Sequence, residues 1–347
     1  RLVGSEMCIR DRPCTSATLA KRYRTLLDAY AKETSSVPDF VNWQGHDFSM
    51  RGMGGIDAAV TSAAAHLLSF TGTDTIPAID FLEEYYNANS DTELVGGSVA
   101  ATEHSVMCMG TTEGEFDTFK RLICDIYPKG IVSIVSDTWD LWKVLTDYLP
   151  RLKDTIANRE GKVVIRPDSG DPVDILCGNP NGTTQEERKG VVELLWDTFG
   201  GSTNSKGYKE LIPQIGAIYG DSINIDRATR ICERLKEKGF ASTNVVLGIG
   251  SYTYQYNTRD TFGFAMKATY GEVNGEGREI FKDPVTDDGT KKSAKGLMKI
   301  VSQNGMFKLI DQVSWDEEKT GELKEVFRDG KLLIDQSLAE IRARVLG

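Results

Sequence analysis

Length, composition and charge already exclude several classes of protein. The chain has 347 residues, of which 40% are hydrophobic and 27% charged, values typical of soluble globular proteins and not of disordered or fibrous ones. Its formal net charge of -10 argues against a sequence-independent grip on nucleic acid or anionic lipid, which needs clustered Lys and Arg. We therefore expect a small-molecule partner, no nucleic acid, no membrane, and one large α/β domain with or without a smaller lobe.

The cysteines and the hydropathy pattern indicate the compartment. The six cysteines form no CxxC pair and no metal-ligand spacing, and a chain of this size does not depend on disulfides. No apolar run approaches the ~20 residues that cross a bilayer. We predict reduced thiols and a soluble, cytoplasmic protein.

The first twelve residues, RLVGSEMCIRDR, differ in character from the rest of the chain. They neither begin with Met nor contain the apolar segment of a signal peptide, and they resemble a translated sequencing adapter. We expect residues 1–12 to be non-native and the native chain to be cut off upstream of about residue 13.

A helical spacing of apolar residues covers 18–33, and short apolar runs that end in polar residues then recur. The runs are 40–48, 131–137, 163–168, 215–221 and 245–250. The last four are separated by about 25 to 50 residues, the length of a strand, loop and helix in a βα unit. This pattern predicts a parallel α/β structure.

Two parallel architectures fit these runs, a βα barrel and a doubly wound sheet. A doubly wound sheet concentrates its chemistry at one switch point, whereas nearly every run here ends in a polar or charged cluster. Polar ends on many strands favour a barrel with one shared rim, and we predict that barrel over 13–255.

The sequence changes in texture after residue 255. Short strand-like runs at 270–273, 279–281, 298–301, 307–310 and 325–327 are separated by Gly-rich turns. We predict a second, mainly antiparallel lobe over 256–347, closed by a helix at 337–345.

The segment KVVIRPDSGDP, residues 162–172, ends a buried strand in charged groups. Arg166 can offer a planar fork of donors to a phosphate, and Asp168 can bind a ribose hydroxyl or a magnesium-bound water. An internal Arg-Asp pair that stabilises the loop is the alternative.

Two later runs end in the same way. Gly220 allows close approach of a ligand and Asp221 can bind hydroxyls, although this Asp could instead cap the following helix. Gly250 and Ser251 begin a turn whose backbone N–H groups can bind an anion, with Arg259 about two helical turns later. Three polar strand ends in sequence order indicate one shared site.

Motifs nearer the N-terminus carry further candidates. In HDFSMRG, Phe48 can stack on a flat base and Arg51 can bind a phosphate, although such a Phe is more often core. Asp74 in FTGTDT can bind a ligand or cap its own backbone. His104 in GGSVAATEHS suits phosphate contact or proton transfer, whereas His66 is interpreted as a packing residue.

Together these motifs resemble the nicotinamide phosphoribosyltransferase family. HDFxxRG, FxGTDT, SVAATEHS, IRPDSGDP, LGIGS and FKDP occur in the family's order, and the resemblance runs from about residue 13 to the C-terminus. It implies transfer of 5-phosphoribosyl from phosphoribosyl pyrophosphate to nicotinamide, giving nicotinamide mononucleotide and pyrophosphate in NAD salvage. The implied fold is an irregular, TIM-like α/β barrel of the type II phosphoribosyltransferase kind with part of a β-rich second lobe.

The resemblance also implies roles for individual residues. Phe48 stacks on nicotinamide, and Asp74 accepts its amide N–H. Arg166 contacts the ring or ribose side, while Asp168 and Asp221 hold the ribose hydroxyls. Displacement of pyrophosphate through an oxocarbenium-like centre suits such fixed carboxylates and cations.

The phosphate side and the cofactors are implied by the same resemblance. The implied phosphate-end and pocket residues are Gly220, Gly250, Ser251, Arg51, Arg259, Lys267, Lys291, Ser98 and Ser133. His104 matches a histidine that ATP phosphorylates, and Asp137 is placed near Mg2+. We take His104, Asp168 and Arg166 as the catalytic residues, Mg2+ and ATP as cofactors, and a homodimer with shared sites as the active form.

Two alternatives remain open. Nicotinate phosphoribosyltransferase is the nearest one, and Asp74 argues against it because an anionic acceptor attracts N–H donors and repels a carboxylate. The other is a catalytically silent fragment that binds phosphate or nucleotide, since the family's N-terminal portion is missing here. Gly250 to Tyr252 also replaces a run of three glycines found in some relatives.

Overall fold

The computed structural model describes residues 11–257, 259–262, 268–281 and 294–347, with only the backbone of residues 259 and 260. The chain divides into two units: one runs to Phe262 and includes Ser337–Gly347, and the other is Gly263–Gln336. The first unit holds the large parallel sheet and its helices, and the second holds short antiparallel hairpins.

Most of the regular structure lies in the first unit. The strands are β1 Gly45–Phe48, β2 Gly72–Thr73, β3 Ala100–Ala101, β4 Gly130–Val135, β5 Gly161–Arg166, β6 Gly201–Thr203, β7 Lys209–Leu211, β8 Ile215–Tyr219, β9 Val245–Gly250, β10 Tyr270–Val273, β11 Glu276–Glu279, β12 Met298–Gln303, β13 Met306–Asp311, β14 Phe327–Arg328 and β15 Lys331–Leu332. The helices are α1 Arg12–Thr34, α2 Val41–Gln44, α3 Ile56–His66, α4 Pro77–Tyr86, α5 His104–Met109, α6 Glu115–Arg121, α7 Leu141–Lys143, α8 Leu149–Arg151, α9 Lys153–Ala157, α10 Pro172–Cys177, α11 Gln185–Phe199, α12 Ile225–Glu237, α13 Ser251–Tyr254, α14 Trp315–Glu318 and α15 Leu338–Leu346.

A parallel sheet forms the centre of the first unit. Among the described residues it contains seven strands in the order β2-β1-β9-β8-β5-β4-β3, and every neighbouring pair is parallel. Gly97 bridges to Gly72 in β2, and three residues later Ala100 pairs with Val132 in β4. One short segment therefore joins both edges of the sheet, which closes an irregular barrel and confirms the predicted α/β fold.

Strands β4 and β8 are buried on both faces, as helices on the outside of a parallel sheet require, whereas β5 buries alternate residues. Val132, Ile134 and Val135 in β4, and Val163 and Ile165 in β5, have no exposed surface. Each such side chain contributes about 1.5–3 kcal/mol of transfer free energy. Continuous apolar runs of this kind are what made these strands visible in the sequence.

Helix α1 packs along the barrel through one apolar stripe. Leu19, Tyr23, Leu27 and Ala31 recur at i, i+4 spacing and are buried. Arg12 begins the helix and donates to the backbone carbonyl oxygens of Tyr254 and Asn257, the latter at 2.7 Å. Arg12 therefore belongs to the fold although it falls in the segment predicted to be non-native; residues 1–10 of that segment lie outside the described residues.

The C-terminal helix differs from the sequence-based division. The sequence assigned it to the second lobe, yet α15 belongs to the first unit, which also extends beyond the predicted boundary to Phe262. Leu338 is fully buried there, and Arg342 donates to the carbonyl oxygens of Leu67 at 2.9 Å and Val95 at 2.6 Å. These long-range contacts leave no local trace in the sequence.

The second unit consists of hairpins, as predicted. Strands β10 and β11, β12 and β13, and β14 and β15 pair antiparallel. Their turns are Asn274-Gly275, Asn304-Gly305 and Asp329-Gly330, each with positive φ at both positions. This conformation suits the twist of a two-residue hairpin and explains the choice of residues. Strand β11 ends where the sequence predicted its strand to begin, at Glu279.

Two expectations about the whole chain can be compared with the described part of it. There, no helix combines the length and apolar character needed to cross a membrane. The described cysteines form no disulfide with one another; they are Cys14, Cys108, Cys124, Cys177 and Cys232.

His66 is fully buried in α3, which confirms its interpretation as a packing residue. The Tyr254 hydroxyl lies 2.6 Å from Nδ1 and donates to it, and Nε2 donates to the Gly45 carbonyl oxygen at 3.2 Å. Its ring stacks on Phe70 with centroids 5.0 Å apart. Burial disfavours the charged imidazolium and lowers the pKa of His66 from 6.5 to about 4, against the opposing effect of Asp47.

This depressed pKa predicts a pH-dependent stability. The contribution of neutral His66 is complete above its unfolded pKa of 6.5 and is lost as the pH falls toward 4. The loss is on the order of 3 kcal/mol. His66→Gln removes the titration, so the free energy of unfolding, measured by urea denaturation between these pH values, should depend less steeply on pH than in the unchanged chain. Equal slopes for the two proteins would contradict this assignment.

Candidate functional site

The carboxyl ends of the barrel strands surround a cavity of about 430 Å³. Phe48 from β1, Asp74 after β2, Arg166 from β5 and Gly220 after β8 line it, together with the turn Met50–Gly52. In a parallel barrel these ends meet at one rim, where ligands bind. The structure thus brings together residues that the sequence presented as separate strand ends.

Phe48 and Arg166 form one wall of the cavity. The guanidinium carbon of Arg166 lies 5.3 Å from the centroid of the Phe48 ring, within the range of a cation–π contact. Arg166 donates through Nη1 to the Thr102 carbonyl oxygen at 3.3 Å, while its buried Nε has no hydrogen-bond partner. The guanidinium therefore keeps donor capacity for a ligand.

Two glycines make room for this wall. A Cβ on Gly248 would lie 2.4 Å from Cδ2 of Phe48 and 2.9 Å from Cα of Gly220. A Cβ on Gly220 would lie 2.9 Å from Oδ1 of Asp168 and 3.3 Å from Nε of Arg166. Glycine is required at both positions because the aromatic ring and the charged groups approach the backbone closely.

Asp74 contributes a carboxylate to the lining of the cavity. Its Oδ1 accepts hydrogen bonds from Nε2 of His46 at 2.7 Å and from Oγ of Ser98 at 2.6 Å. Burial acts to raise the pKa of Asp74, but the hydrogen bonds from His46 and Ser98 and the nearby Arg166 charge outweigh burial and lower it. Asp74 is therefore an ionised acceptor at neutral pH, and no sequence pattern indicated the His46 contact.

Asp47 stands next to these residues but faces the interior. Its side chain is fully buried and accepts from Ser49 N and Oγ at 3.0 and 2.6 Å. Its other oxygen accepts from the hydroxyls of Thr73 at 2.8 Å and Thr75 at 2.7 Å. Sequence reasoning missed this residue; the flanking Ser and Thr, which can satisfy a buried carboxylate, are the only signal available.

His104 and Asp137 meet at the ends of neighbouring strands. Nε2 of His104 lies 3.3 Å from Oδ1 of Asp137, and Oδ2 of Asp137 accepts from Asp168 N at 2.8 Å and Ser169 Oγ at 2.5 Å. The His104 side chain is 45% exposed and that of Asp137 only 5% exposed. Asp137 can thus hold the orientation of an accessible imidazole.

Two predicted residues carry unsatisfied polar atoms. Oδ1 of Asp168 and Oγ of Ser133 are buried without a hydrogen-bond partner. Buried polar atoms are rarely left unpaired in a native structure, so such atoms beside a cavity indicate a missing ligand group or water. Both atoms lie on residues of the predicted pocket.

The remaining predicted residues are less closely defined. Ser251 begins α13 and packs against the Met50–Gly52 turn, since a Cβ on Gly52 would lie 2.0 Å from its Oγ. Arg51 lines the cavity and is exposed, as is Asp221, and Gly250 ends β9. The backbone of Arg259 lies in a 3₁₀ turn, while Lys267 and Lys291 lie outside the described residues.

A magnesium site must be judged from the donor set. Both oxygens of Asp137, the predicted metal residue, already accept hydrogen bonds, whereas Oδ1 of Asp168 accepts none. The described residues contain no cluster of three or more His, Cys, Asp or Glu that could hold a metal by themselves. Asp168 is therefore the carboxylate available to a Mg2+ ion, which would need most of its oxygen ligands from a bound molecule or from water.

Fold and site together define an α/β barrel with a ligand site at its carboxyl-end rim. The profile of the nicotinate phosphoribosyltransferase (NAPRTase) family matches residues 43–331. This chain belongs to the nicotinate phosphoribosyltransferase family.

Curated relatives carry a more specific name. A protein of Acinetobacter baylyi named nicotinamide phosphoribosyltransferase is 54% identical over 338 residues, covering 95% of this chain and 66% of the relative. A protein of the same name from Mycoplasma pneumoniae is 40% identical over 287 residues, covering 81% of this chain and 59% of the relative. The chain thus spans two thirds or less of the length of these relatives.

A solved structure supports the fold. Nicotinate-nucleotide pyrophosphorylase from Pyrococcus furiosus matches with a TM-score of 0.58 at 14% identity, over 97% of this chain and 69% of that one. At this identity the likeness concerns the fold alone.

Gly248→Ala tests the close packing behind the Phe48 ring. The added methyl group meets both the ring and the Gly220 backbone, so the ring must move and the free energy of unfolding should fall by about 1–3 kcal/mol. Gly216→Ala in the adjacent strand β8 is the matched control, because its Cβ meets only Lys162, at 3.5 Å. The two variants can be compared by denaturant titration, with a crystal structure of Gly248→Ala. Equal stability of both variants, with Phe48 in its original position, would contradict the packing argument.

Proposed function

We propose that this protein transfers the 5-phosphoribosyl group of phosphoribosyl pyrophosphate to nicotinamide, giving nicotinamide mononucleotide and pyrophosphate in NAD salvage. The observation that carries the proposal is the anionic acceptor Asp74 in a cavity that Phe48 and Arg166 also line. The relatives' name supports it.

The cavity suits nicotinamide in particular. The Phe48 ring offers a flat surface for the pyridine, and Asp74 offers a charged acceptor for the amide N–H. The same carboxylate repels nicotinate, whose carboxylate would face it. Nicotinate remains the second candidate because the family profile is named for it.

We place the phosphoribosyl group at the glycine-lined strand ends. Asp168 and Asp221 hold the ribose hydroxyls, and Arg166 supplies donors to the ribose or base side. Gly220 leaves space beside Asp168 for the sugar. Ser98 and Ser133 complete the pocket. The phosphate contacts comprise Arg51, Gly250, Ser251, Arg259, Lys267 and Lys291.

Loss of pyrophosphate leaves positive charge on the ribose carbon, so fixed carboxylates and leaving-group stabilisation dominate catalysis. Mg2+ supplies electrostatic stabilisation of the pyrophosphate when it is bound. Asp168 would hold it through Oδ1, which has no hydrogen-bond partner, and the ribose hydroxyls through its other oxygen, while Asp137 keeps His104 oriented.

His104 extends the proposal to ATP. Its exposed imidazole accepts the γ-phosphoryl group, so that a P–O bond of ATP breaks, a P–N bond forms and ADP leaves. The Asp137 carboxylate stabilises the imidazolium formed in this step. By resemblance to the family we further propose a cytoplasmic homodimer with shared sites.

Turnover of the two bases tests the proposed reaction. With phosphoribosyl pyrophosphate and Mg2+, kcat/KM should be higher for nicotinamide than for nicotinate. Asp74→Asn removes the charge and keeps the shape of the side chain, so it should lower kcat/KM for nicotinamide by about 10- to 100-fold. It should also reduce the ratio of kcat/KM for nicotinamide to kcat/KM for nicotinate. Faster turnover of nicotinate by the unchanged protein would overturn the choice of base, and no turnover of either base would favour a silent binding protein.

The role of His104 can be tested separately. ATP should lower the apparent KM for nicotinamide, and His104→Ala should abolish this gain together with incorporation of the labelled γ-phosphate into protein. Ser105→Ala is the matched control, because Ser105 is the exposed neighbour in α5. An ATP effect that survives in His104→Ala would refute the assignment.

A further inference from the structure

We propose that His46 is the positioning residue that gives this site its preference for a carboxamide, by holding one oxygen of Asp74 and leaving the other to the ligand. The inference deepens the proposed function and rests on it. It assigns a specificity role to His46, which is not among the described residues that line the cavity.

The direction of the hydrogen bonds defines the arrangement. A carboxylate oxygen only accepts, so Nε2 of His46 carries the proton that it donates to Oδ1 of Asp74 at 2.7 Å. Ser98 donates to the same oxygen at 2.6 Å. Within the described ranges, Oδ2 of Asp74 has no donor, although the side chain is 44% exposed and lines the cavity.

The consequence is an acceptor with one oxygen occupied and one available. A ligand that enters the cavity meets Oδ2, and only a group with an N–H or O–H at that position can satisfy it. The ligand class is therefore an aromatic carboxamide. A carboxylate is excluded by charge, and a ketone at the same position lacks the donor.

His46 itself is held in place by its neighbours. It is 7% exposed, pairs in register with Gly72 of β2 and lies with its ring centroid 4.9 Å from that of Phe48. A Cβ on Gly72 would lie 2.6 Å from Nδ1 of His46 and 3.2 Å from its Cγ. The Nδ1 side of the imidazole therefore lies directly against a glycine, with no space for a methyl group there.

This contact provides a way to displace His46 without changing it. Gly72→Ala should push the imidazole away from Asp74, and the backbone of Gly72 does not have a left-handed φ that would itself oppose Ala. Gly54→Ala is the matched control, since a Cβ there meets nothing within 4 Å. His46→Leu removes the donor, and His46→Gln retains one.

Equilibrium binding to the full chain is the primary measurement, with nicotinamide and nicotinate as the probes in calorimetric or NMR titrations. His46→Leu and Gly72→Ala should weaken nicotinamide binding by about 10-fold and leave the Kd for nicotinate unchanged, because nicotinate does not use the oriented acceptor. His46→Gln should recover most of the nicotinamide affinity, and Gly54→Ala should bind like the unchanged chain.

Several results would overturn the inference. Equal losses for both bases would show a merely structural role, and unchanged nicotinamide affinity in His46→Leu and Gly72→Ala would show no role. Failure of the unchanged chain to bind nicotinamide would also overturn it. Binding and its His46 dependence without turnover would instead contradict only the proposed transferase reaction.

Discussion

The buried carboxylate of Asp47 is the constraint on which the placement of Phe48 and Asp74 in the cavity depends. A carboxylate without exposed surface is tolerated only when hydrogen bonds replace its water, and an unpaired one costs several kcal/mol. Ser49 satisfies one oxygen, and the hydroxyls of Thr73 and Thr75 satisfy the other. These hydrogen bonds join the end of β1 to the end of β2 and so restrict the movement of the two strand ends relative to each other.

Because side chains alternate along a strand, turning Asp47 inward turns His46 and Phe48 together to the other face. The amide of Asp74 also donates to the Asp47 carbonyl oxygen at 2.9 Å. One buried charge thus fixes both an aromatic surface and an acceptor. Asp137 acts similarly across the rim, where its saturated carboxylate joins His104 to the loop after β5. Asp47 thus contacts Asp74, and Asp137 contacts Asp168. Asp74 and Asp168 each keep a carboxylate oxygen that accepts no hydrogen bond from the described residues.

Local sequence patterns predicted the parts of the fold that depend on neighbouring residues, and they predicted only part of the candidate site. Continuous apolar runs predicted β4, β5 and β9, whereas β2 and β3 are two residues long and are recognisable only by their partners. The polar strand ends singled out Arg166 and Gly220, which line one cavity. The sequence does not distinguish the roles of Asp47 and Asp74. They differ in burial, because Asp47 has no exposed surface whereas the Asp74 side chain is 44% exposed. The return of α15 to the first unit was equally invisible, since it depends on contacts distant in the chain.

The charge of the rim bears on how a polyphosphate could bind to it. Burial, reinforced by Asp221, Asp168, Asp137 and Asp171, raises the pKa of the Tyr219 hydroxyl, so several carboxylates act on one point beside β8. Such a field repels a bare polyanion, and the chain as a whole carries a formal charge of -10. It repels less strongly a polyphosphate whose charge a divalent cation has already reduced. In the proposed reaction, the acidic strand ends would favour the magnesium complex of phosphoribosyl pyrophosphate over the free polyanion, and the donors of Arg166 would serve the sugar and base.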